Sequence, residues 1–290
     1  MNMPQRVPVL KFGGLTLQGA NRFGPHEERL LEECRRQESV NEIYRLLAMR
    51  RNLARAQRLR ELCRDFILPL REEGVVPVVV VSAFDWATDK LEHLAAAVDD
   101  EPDPREFARL LMSGELRANS TLAMALRAVG CPAYSLTGRE AGVETTPQAV
   151  DALVDHVDEE YLVSLLRAGV VPVVAGFQGH YWDERSHRDE VSILGRGGSN
   201  LTAVAIADAL GQPECVMFTN VDGLYDKDPL KHKDARKLSS IHATQLLNWD
   251  PFPQVIQREA VVYARERGID VWIRDGFDPQ VPGTRIICRG

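Results

Sequence analysis

No stretch of this 290-residue chain approaches the length of a membrane-spanning helix. Met1 to Val9 lacks the basic-then-apolar pattern of a secretory signal. Cysteine is scarce: Cys34, Cys63, Cys131, Cys215 and Cys288 are odd in number and widely spaced, and no pair has metal-ligand spacing. They read as reduced thiols of a cytoplasmic protein. The seven histidines form no HxxxH or HxH cluster, so no metal held by protein ligands alone is expected. Positive charge is in deficit, with 35 Lys and Arg against 42 Asp and Glu and a net charge of -7. That balance argues against general nucleic-acid affinity. A GxxxxGK[ST] loop and a GxGxxG fingerprint are both missing, which excludes a P-loop enzyme and the dinucleotide motif. Internal repeats and low-complexity linkers are missing too.

What is present suits a soluble enzyme, 44% hydrophobic and 27% charged, long enough for one large α/β domain or two lobes. Val75 to Ser82 (VVPVVVVS) and Val170 to Phe177 (VVPVVAGF) are continuous apolar runs, expected as central parallel strands covered on both faces. Val7 to Phe12, Ala133 to Leu136, Cys215 to Thr219, Asp270 to Ile273 and Thr284 to Cys288 complete the expected strands. Helices are expected over Lys90 to Val98, Phe107 to Val129 in two pieces around Ser113-Gly114-Glu115, Glu159 to Ala168, Leu201 to Leu210, Ser240 to Leu247 and Val255 to Arg267. Glu27 to Leu68 reads as two or three helices, broken near Arg36-Glu38 and Arg50-Asn52, with Phe23 to Met49 as an inserted helical hairpin. Thr137 to Thr146 and Asn220 to Lys233 read as loops, and His180 to Glu190 as a solvated hairpin. Strands alternating with helices predict an α/β fold with a mostly parallel sheet and helices on both faces.

Ligands of such sheets bind beyond the carboxyl ends of the strands. Lys11, Ser82, Gly176 and Thr219 occupy such ends and are expected along one edge. The stretch Leu194-Gly195-Arg196-Gly197-Gly198-Ser199-Asn200 places three glycines in four residues just before an apolar helix. Glycine tolerates positive φ and close approach, and a helix N-terminus attracts anions. Arg196 adds a planar cationic fork suited to carboxylate or phosphate. The plainer alternative is a turn with Ser199 or Asn200 as N-cap. Asp222 and Asp228 are candidate magnesium-side carboxylates. Cationic and backbone donors gathered on one edge suit phosphoryl transfer, and a carboxylate nucleophile needs no general base.

Several segments resemble the aspartate kinase family: KFGG at Lys11 to Gly14, VVVVSA at Val78 to Ala83, GEL at Gly114 to Leu116 and VPVVAGFQG at Val171 to Gly179. LGRGGSN at Leu194 to Asn200, TNVDGLYDKDP at Thr219 to Pro229 and PGT at Pro282 to Thr284 follow in the family's order. The resemblance implies the amino-acid-kinase fold, a three-layer αβα sandwich. It also implies an acid-binding lobe over residues 1–190, carrying the 23–49 insertion, and a nucleotide-binding lobe over 191–290. The expected ligands are ATP with Mg2+ and a small acid, in a homodimer without nucleic-acid or membrane partners.

Carried over by position, Lys11 matches the lysine bridging the transferring phosphate and the acceptor carboxylate, and Arg196 the residue gripping the α-carboxylate. Ser82, Thr88, Glu115, Ser199 and Asn200 match substrate positions. Gly13, Gly14, Gly197, Gly198, Thr219, Asn220, Tyr225, Asp228 and Lys231 fall on the phosphate and nucleotide side. Departures are Leu15 in KFGGTS, Asn200 in GRGGSD, Asn220 in TDV, Leu230 after the DP turn, and Gln254 for a nucleotide-contacting lysine, with Lys227, Lys231 or Arg258 as candidate replacements. No regulatory ACT domain is expected after Thr284. The implied activity is phosphorylation of a carboxylate of aspartate or an aspartate-like acid to an acyl phosphate. The alternatives are a same-fold kinase for a different small substrate in specialised biosynthesis, and a non-catalytic ligand-binding relative.

Overall fold

The computed structural model describes residues 6–18, 40–84, 86–229 and 231–289. Most of the 23–49 insertion, Cys34 and Leu230 lie outside the described residues. In chain order the elements begin with β1 (Val9–Phe12), α1 (Gly14–Gln18), α2 (Val40–Leu62), a π-helical turn (Cys63–Ile67), α3 (Leu68–Glu72), β2 (Val78–Val81), α4 (Ala87–Val98) and α5 (Pro104–Ala128). There follow β3 (Ala133–Leu136), β4 (Val143–Thr145), β5 (Val154–Val157), α6 (Glu160–Arg167), β6 (Val171–Ala175), β7 (Gln178–Asp183), β8 (Arg188–Ile193) and α7 (Gly198–Ala209). The chain closes with β9 (Glu214–Thr219), β10 (Ser240–His242), α8 (Ala243–Leu247), α9 (Arg258–Arg267), β11 (Asp270–Asp275) and β12 (Thr284–Ile287).

Eight strands form one sheet in the order β10-β12-β11-β9-β1-β2-β6-β3. Every pair in it is parallel except β11 with β12. Its layering follows from the period of two along a strand. Val9, Val78 and Val80 enter the core beneath α6, α7 and α9, whereas Leu10, Phe12, Val79 and Val81 enter the opposite core with Leu59, Leu62, Phe66, Leu122 and Leu126. This is the expected α/β sandwich, helices covering both faces of a mostly parallel sheet. No helix among the described residues is long and apolar enough to cross a membrane.

Several local expectations need correcting. Helix α2 runs unbroken through Arg50-Asn52. Helix α5 is continuous through Ser113-Gly114-Glu115. Gly114 is not a breaker: a Cβ there would stand 2.9 Å from the Ala83 Cβ, so the glycine lets α5 press against the loop after β2. Ser240 to His242 is an edge strand and only Ala243 onward is helical, while the last helix begins at Arg258 rather than Val255. A second sheet, β5-β4-β7-β8, takes in part of the segment read as the Thr137 to Thr146 loop. The β7–β8 hairpin is less solvated than its charge implies, because Glu190 is buried beside Arg105 and Arg109.

Candidate active site

Strand register assembles the site. Phe12 lies beside Val81 and Phe218, and Val81 beside Ala175. The next residues therefore leave the sheet side by side: Gly13 N–H bonds Phe218 O, Ser82 N–H bonds Phe12 O and Gly176 N–H bonds Val81 O, at 3.1, 3.2 and 2.9 Å. Thr219, which ends β9, joins them. The four predicted strand ends do share one edge.

Lys11 follows Val9 in the row facing α7, where an apolar side chain would be usual, and it is buried. Burial lowers its pKa to about 8, against the opposing pull of Cys215 and Glu115. Glu115, on α5, is buried too and accepts a 3.0 Å bond from Ala83 N–H on one oxygen. Its other oxygen has no partner among the described residues. Burial raises this carboxyl to about 7, opposed by the backbone bonds and by Lys11. A desolvated lysine and a half-satisfied carboxylate in one electrostatic neighbourhood are arranged to meet a ligand.

The glycine stretch supplies a second wall. Helix α7 starts at Gly198 with Gly197 (φ 78°) as a left-handed N-cap. Ser199 and Asn200 are therefore inside the first turn, and neither is the cap. Both are buried. Ser199 packs so closely on Gly176 that a Cβ on that glycine would lie 2.7 Å from the serine Cβ. From the other side the Gln257 amide covers Gly197 and would stand 1.5 Å from a Cβ there, while Gln257 Oε1 is buried without a partner among the described residues. Arg196 is not an open fork: Nη2 is 2.5 Å from Glu92 and Nη1 3.5 Å from Asp89, both on α4. Thr88 is half-buried in the first turn of that helix.

The segment after β9 is organised differently. Thr219 closes a tight turn, its hydroxyl bonded to Val221 N–H and O. Asn220 is exposed. Tyr225 donates to Asp222, which also pairs with Lys237 at 3.1 Å. Lys231 pairs with Asp228 at 3.5 Å and Lys227 with Asp234 at 2.5 Å. Gln254 is exposed, and Arg258 stacks on Phe252 while bonding Leu247 O. Lys227, Lys231 and Arg258 thus have local partners. Among the described residues no group of three or more His, Cys, Asp or Glu side chains converges to hold a metal.

Sequence reasoning missed Asp89, Glu92, Thr16, Arg58 and Gln257. Arg58 is a buried guanidinium whose Nε donates to Thr16 O at 2.9 Å and whose Nη2 donates to Gly276 O, tying α2 to the glycine turn and to the end of β11. Nothing in the Arg-rich segment 51–64 marks one arginine for burial. The Thr16 hydroxyl was legible only as a small polar residue after KFGG.

Known proteins share the chain's fold and family. The model of the amino acid kinase family matches residues 6–275. Aspartokinase of Mycobacterium tuberculosis (H37Rv) is 38% identical over 237 residues, covering 81% of this chain and 55% of that protein. Aspartokinase 2 of Bacillus subtilis (strain 168) is 37% identical over 217 residues, 74% of this chain and 52% of that protein. The crystal structure of aspartate kinase from Synechocystis superposes with a TM-score of 0.72 at 29% identity, over 97% of this chain and 40% of that one. The chain spans about half the length of the curated relatives it matches. It belongs to the amino acid kinase family.

Proposed function

We propose that this chain is an ATP-dependent kinase that phosphorylates a carboxylate of aspartate or of an aspartate-like small acid, releasing an acyl phosphate and ADP. The observation that carries the reading is the buried pair Lys11 and Glu115 beside the Gly13-Gly14 turn. An acceptor carboxylate oxygen attacks the terminal phosphorus, and the bond to the bridging oxygen of ADP breaks. The attacking group is already anionic, so no general base is required. Lys11 neutralises charge on the oxygens in transfer, with its desolvated surroundings strengthening the effect. The free oxygen of Glu115 accepts from the substrate, with Ser82, Thr88, Ser199 and Asn200 as further contacts and Arg196 on the second carboxylate.

Residues 1–190 carry the acid and residues 191–290 the nucleotide in this reading. Gly13, Gly14, Gly197 and Gly198 face the phosphates, and Thr219, Asn220, Tyr225, Asp228 and Lys231 the rest of the nucleotide. Magnesium arrives with the nucleotide phosphates, which suits a cation that prefers phosphate oxygens and water to an all-protein cage. Asn200 favours an acceptor lacking a free ammonium group, because an amide supplies no negative charge opposite one. The test is ADP release with trapping of the acyl phosphate by hydroxylamine, using aspartate, an N-acyl aspartate, malate and succinate. Hydroxamate from any of the four supports the reading, and ATP left intact with all four overturns it.

A further inference from the structure

A cavity of about 480 Å³ is lined by Glu92, Ala96, Pro102, Pro104, Phe107 and Val150. Its size falls in the range of roughly 300–1,000 Å³ common to small-molecule sites. The wall is apolar apart from Glu92, and the two prolines have no N–H to offer. It is also fixed. Asp103, between the prolines, caps α5 by accepting from Arg105 N–H and Glu106 N–H at 3.0 and 3.2 Å. Phe107 and Val150 pack on the cluster of Ala108, Leu111, Phe177 and Ile193.

Two connections join this cavity to Arg196. Asp89, Glu92 and Ala96 follow at helical spacing on one face of α4. The first two bond Arg196, while Glu92 and Ala96 line the cavity. Val150 belongs to a segment clasped to the end of β8: Ile193 N–H bonds Ala149 O at 2.8 Å, and Ala152 N–H bonds Ile193 O at 3.0 Å. The same strand end leads into Arg196. Glu92 touches both features, so an acid whose carboxylate meets Arg196 lies one side chain from an apolar cavity. The lining offers no cation and no side-chain donor, which suits a hydrocarbon and not a second polar group. Asn200, being neutral, supplies no charge for a free ammonium on the acceptor. We propose that the cavity is the apolar subsite of the acid site, and that the acceptor is an aspartate-like acid acylated on nitrogen with a short hydrocarbon chain. The subsite rests on the kinase reading above.

Chain length tests it. Hydroxamate formation is measured with aspartate, succinate, and N-acetyl, N-butanoyl and N-hexanoyl aspartate. KM should fall roughly threefold for each added methylene, with kcat unchanged, as burial of hydrocarbon away from the reacting atoms requires. Ala96→Phe fills the cavity from an exposed helical position, so the variant should fold. Its KM for succinate should match wild type, and the gain with chain length should vanish. A wild-type KM that is flat or rises along the series overturns the subsite and leaves the kinase reading standing. So does an Ala96→Phe protein that keeps the gain. Sedimentation of both proteins covers the rival occupant: a wild-type dimer that falls to monomers in Ala96→Phe gives the cavity to a second copy of the chain and overturns the subsite. ATP left intact with all five acids overturns the kinase reading, and the subsite with it.

Discussion

Two charged regions flank the carboxyl end of β1, and they are built on opposite principles. Around Lys11, Glu115 and Thr16 the polar groups are buried, and Glu115 and Thr16 each keep an oxygen without a partner among the described residues. In the 219–237 loop, Asp222, Lys227, Lys231 and Lys237 are bonded within the loop and open to solvent in part. A buried group without a partner costs stability, and a ligand that supplies the partner recovers it. An exposed ion pair costs little and contributes little. The first region is prepared for something it lacks, whereas the second has satisfied itself. The departures from the family pattern at Asn220 and Gln254 fall in the half proposed above to hold the nucleotide, with Leu230 outside the described residues.

The sharpest way to break the comparison is Lys11→Ala. If the buried lysine neutralises the transferring phosphate, turnover should drop by about 10²-fold or more, as when other preorganised charge stabilisers are removed. Folding should be kept or improved, since the variant deletes a charge whose burial is unfavourable. Wild-type turnover in a folded variant would place Lys11 in the same class as the loop lysines.

Next in size is the pH dependence of Glu115. Burial raises its carboxyl from 4.5 to about 7 in the folded protein. Protonation therefore favours the fold: the contribution is full below the unfolded value, is lost as pH rises through about 7, and then levels off. Lys11 runs the other way, contributing fully above 10.5 and losing that contribution as pH falls through about 8. Near pH 7.5 both groups are close to their least favourable state. Glu115→Gln should then be more stable than wild type at pH 8 by roughly 1–3 kcal/mol, a gain that shrinks toward pH 5, at the expense of activity. Denaturation midpoints at the two pH values check this. An equal difference at both would show that the carboxylate is not desolvated.

The contrast also explains what could be read without coordinates. The runs VVVV and VPVVA announced buried parallel strands, and with KFGG they set the edge on which Lys11, Ser82, Gly176 and Thr219 meet. Both are local signals, since hydrophobic runs and glycine turns act over a few residues. Partnering is not local. Gly114 looked like a helix break because its reason, the Ala83 side chain 31 residues earlier in the chain, is invisible in the sequence. Arg196 looked like an open fork because its partners sit 107 and 104 residues away. Ser199 or Asn200 as cap stays open as the plainer alternative in the sequence, because capping preference cannot show that Gly197 takes that role with a left-handed backbone.

Asn200 tests whether the acid side has moved from the family's chemistry. Capping no longer explains it, since the residue lies buried within the first turn of α7. Asn200→Asp restores a negative charge where an ammonium group would sit. The kcat/KM ratio for aspartate over succinate should rise by about tenfold, given a hydrogen bond between charged groups in place of one to a neutral amide. An unchanged ratio with unchanged stability would remove the argument for an acceptor other than aspartate.

The smallest effect belongs to Glu92, whose ion pair resembles those of the loop although it holds Arg196, proposed above to meet the acid. Arg196 has a side chain 77% exposed, so the pair with Glu92 is solvent-screened and should contribute at most about 1 kcal/mol. Glu92→Gln should leave the melting temperature almost unchanged. The acid site should respond more clearly. A substrate carboxylate that needs the Arg196 fork must first displace Glu92, and in the variant it displaces only a neutral amide. KM for the acid should therefore fall by up to about fivefold, the most that an interaction of about 1 kcal/mol allows, with kcat unchanged. Because the pair is exposed, salt should erase the gap: near 1 M the Debye length is about 3 Å, and both proteins should share one KM. A KM that rises in Glu92→Gln would show that Glu92 assists the acid instead of competing with it. A KM that does not change would mean that Arg196 belongs with the self-satisfied charges after β9, and that the buried residues alone hold the acceptor.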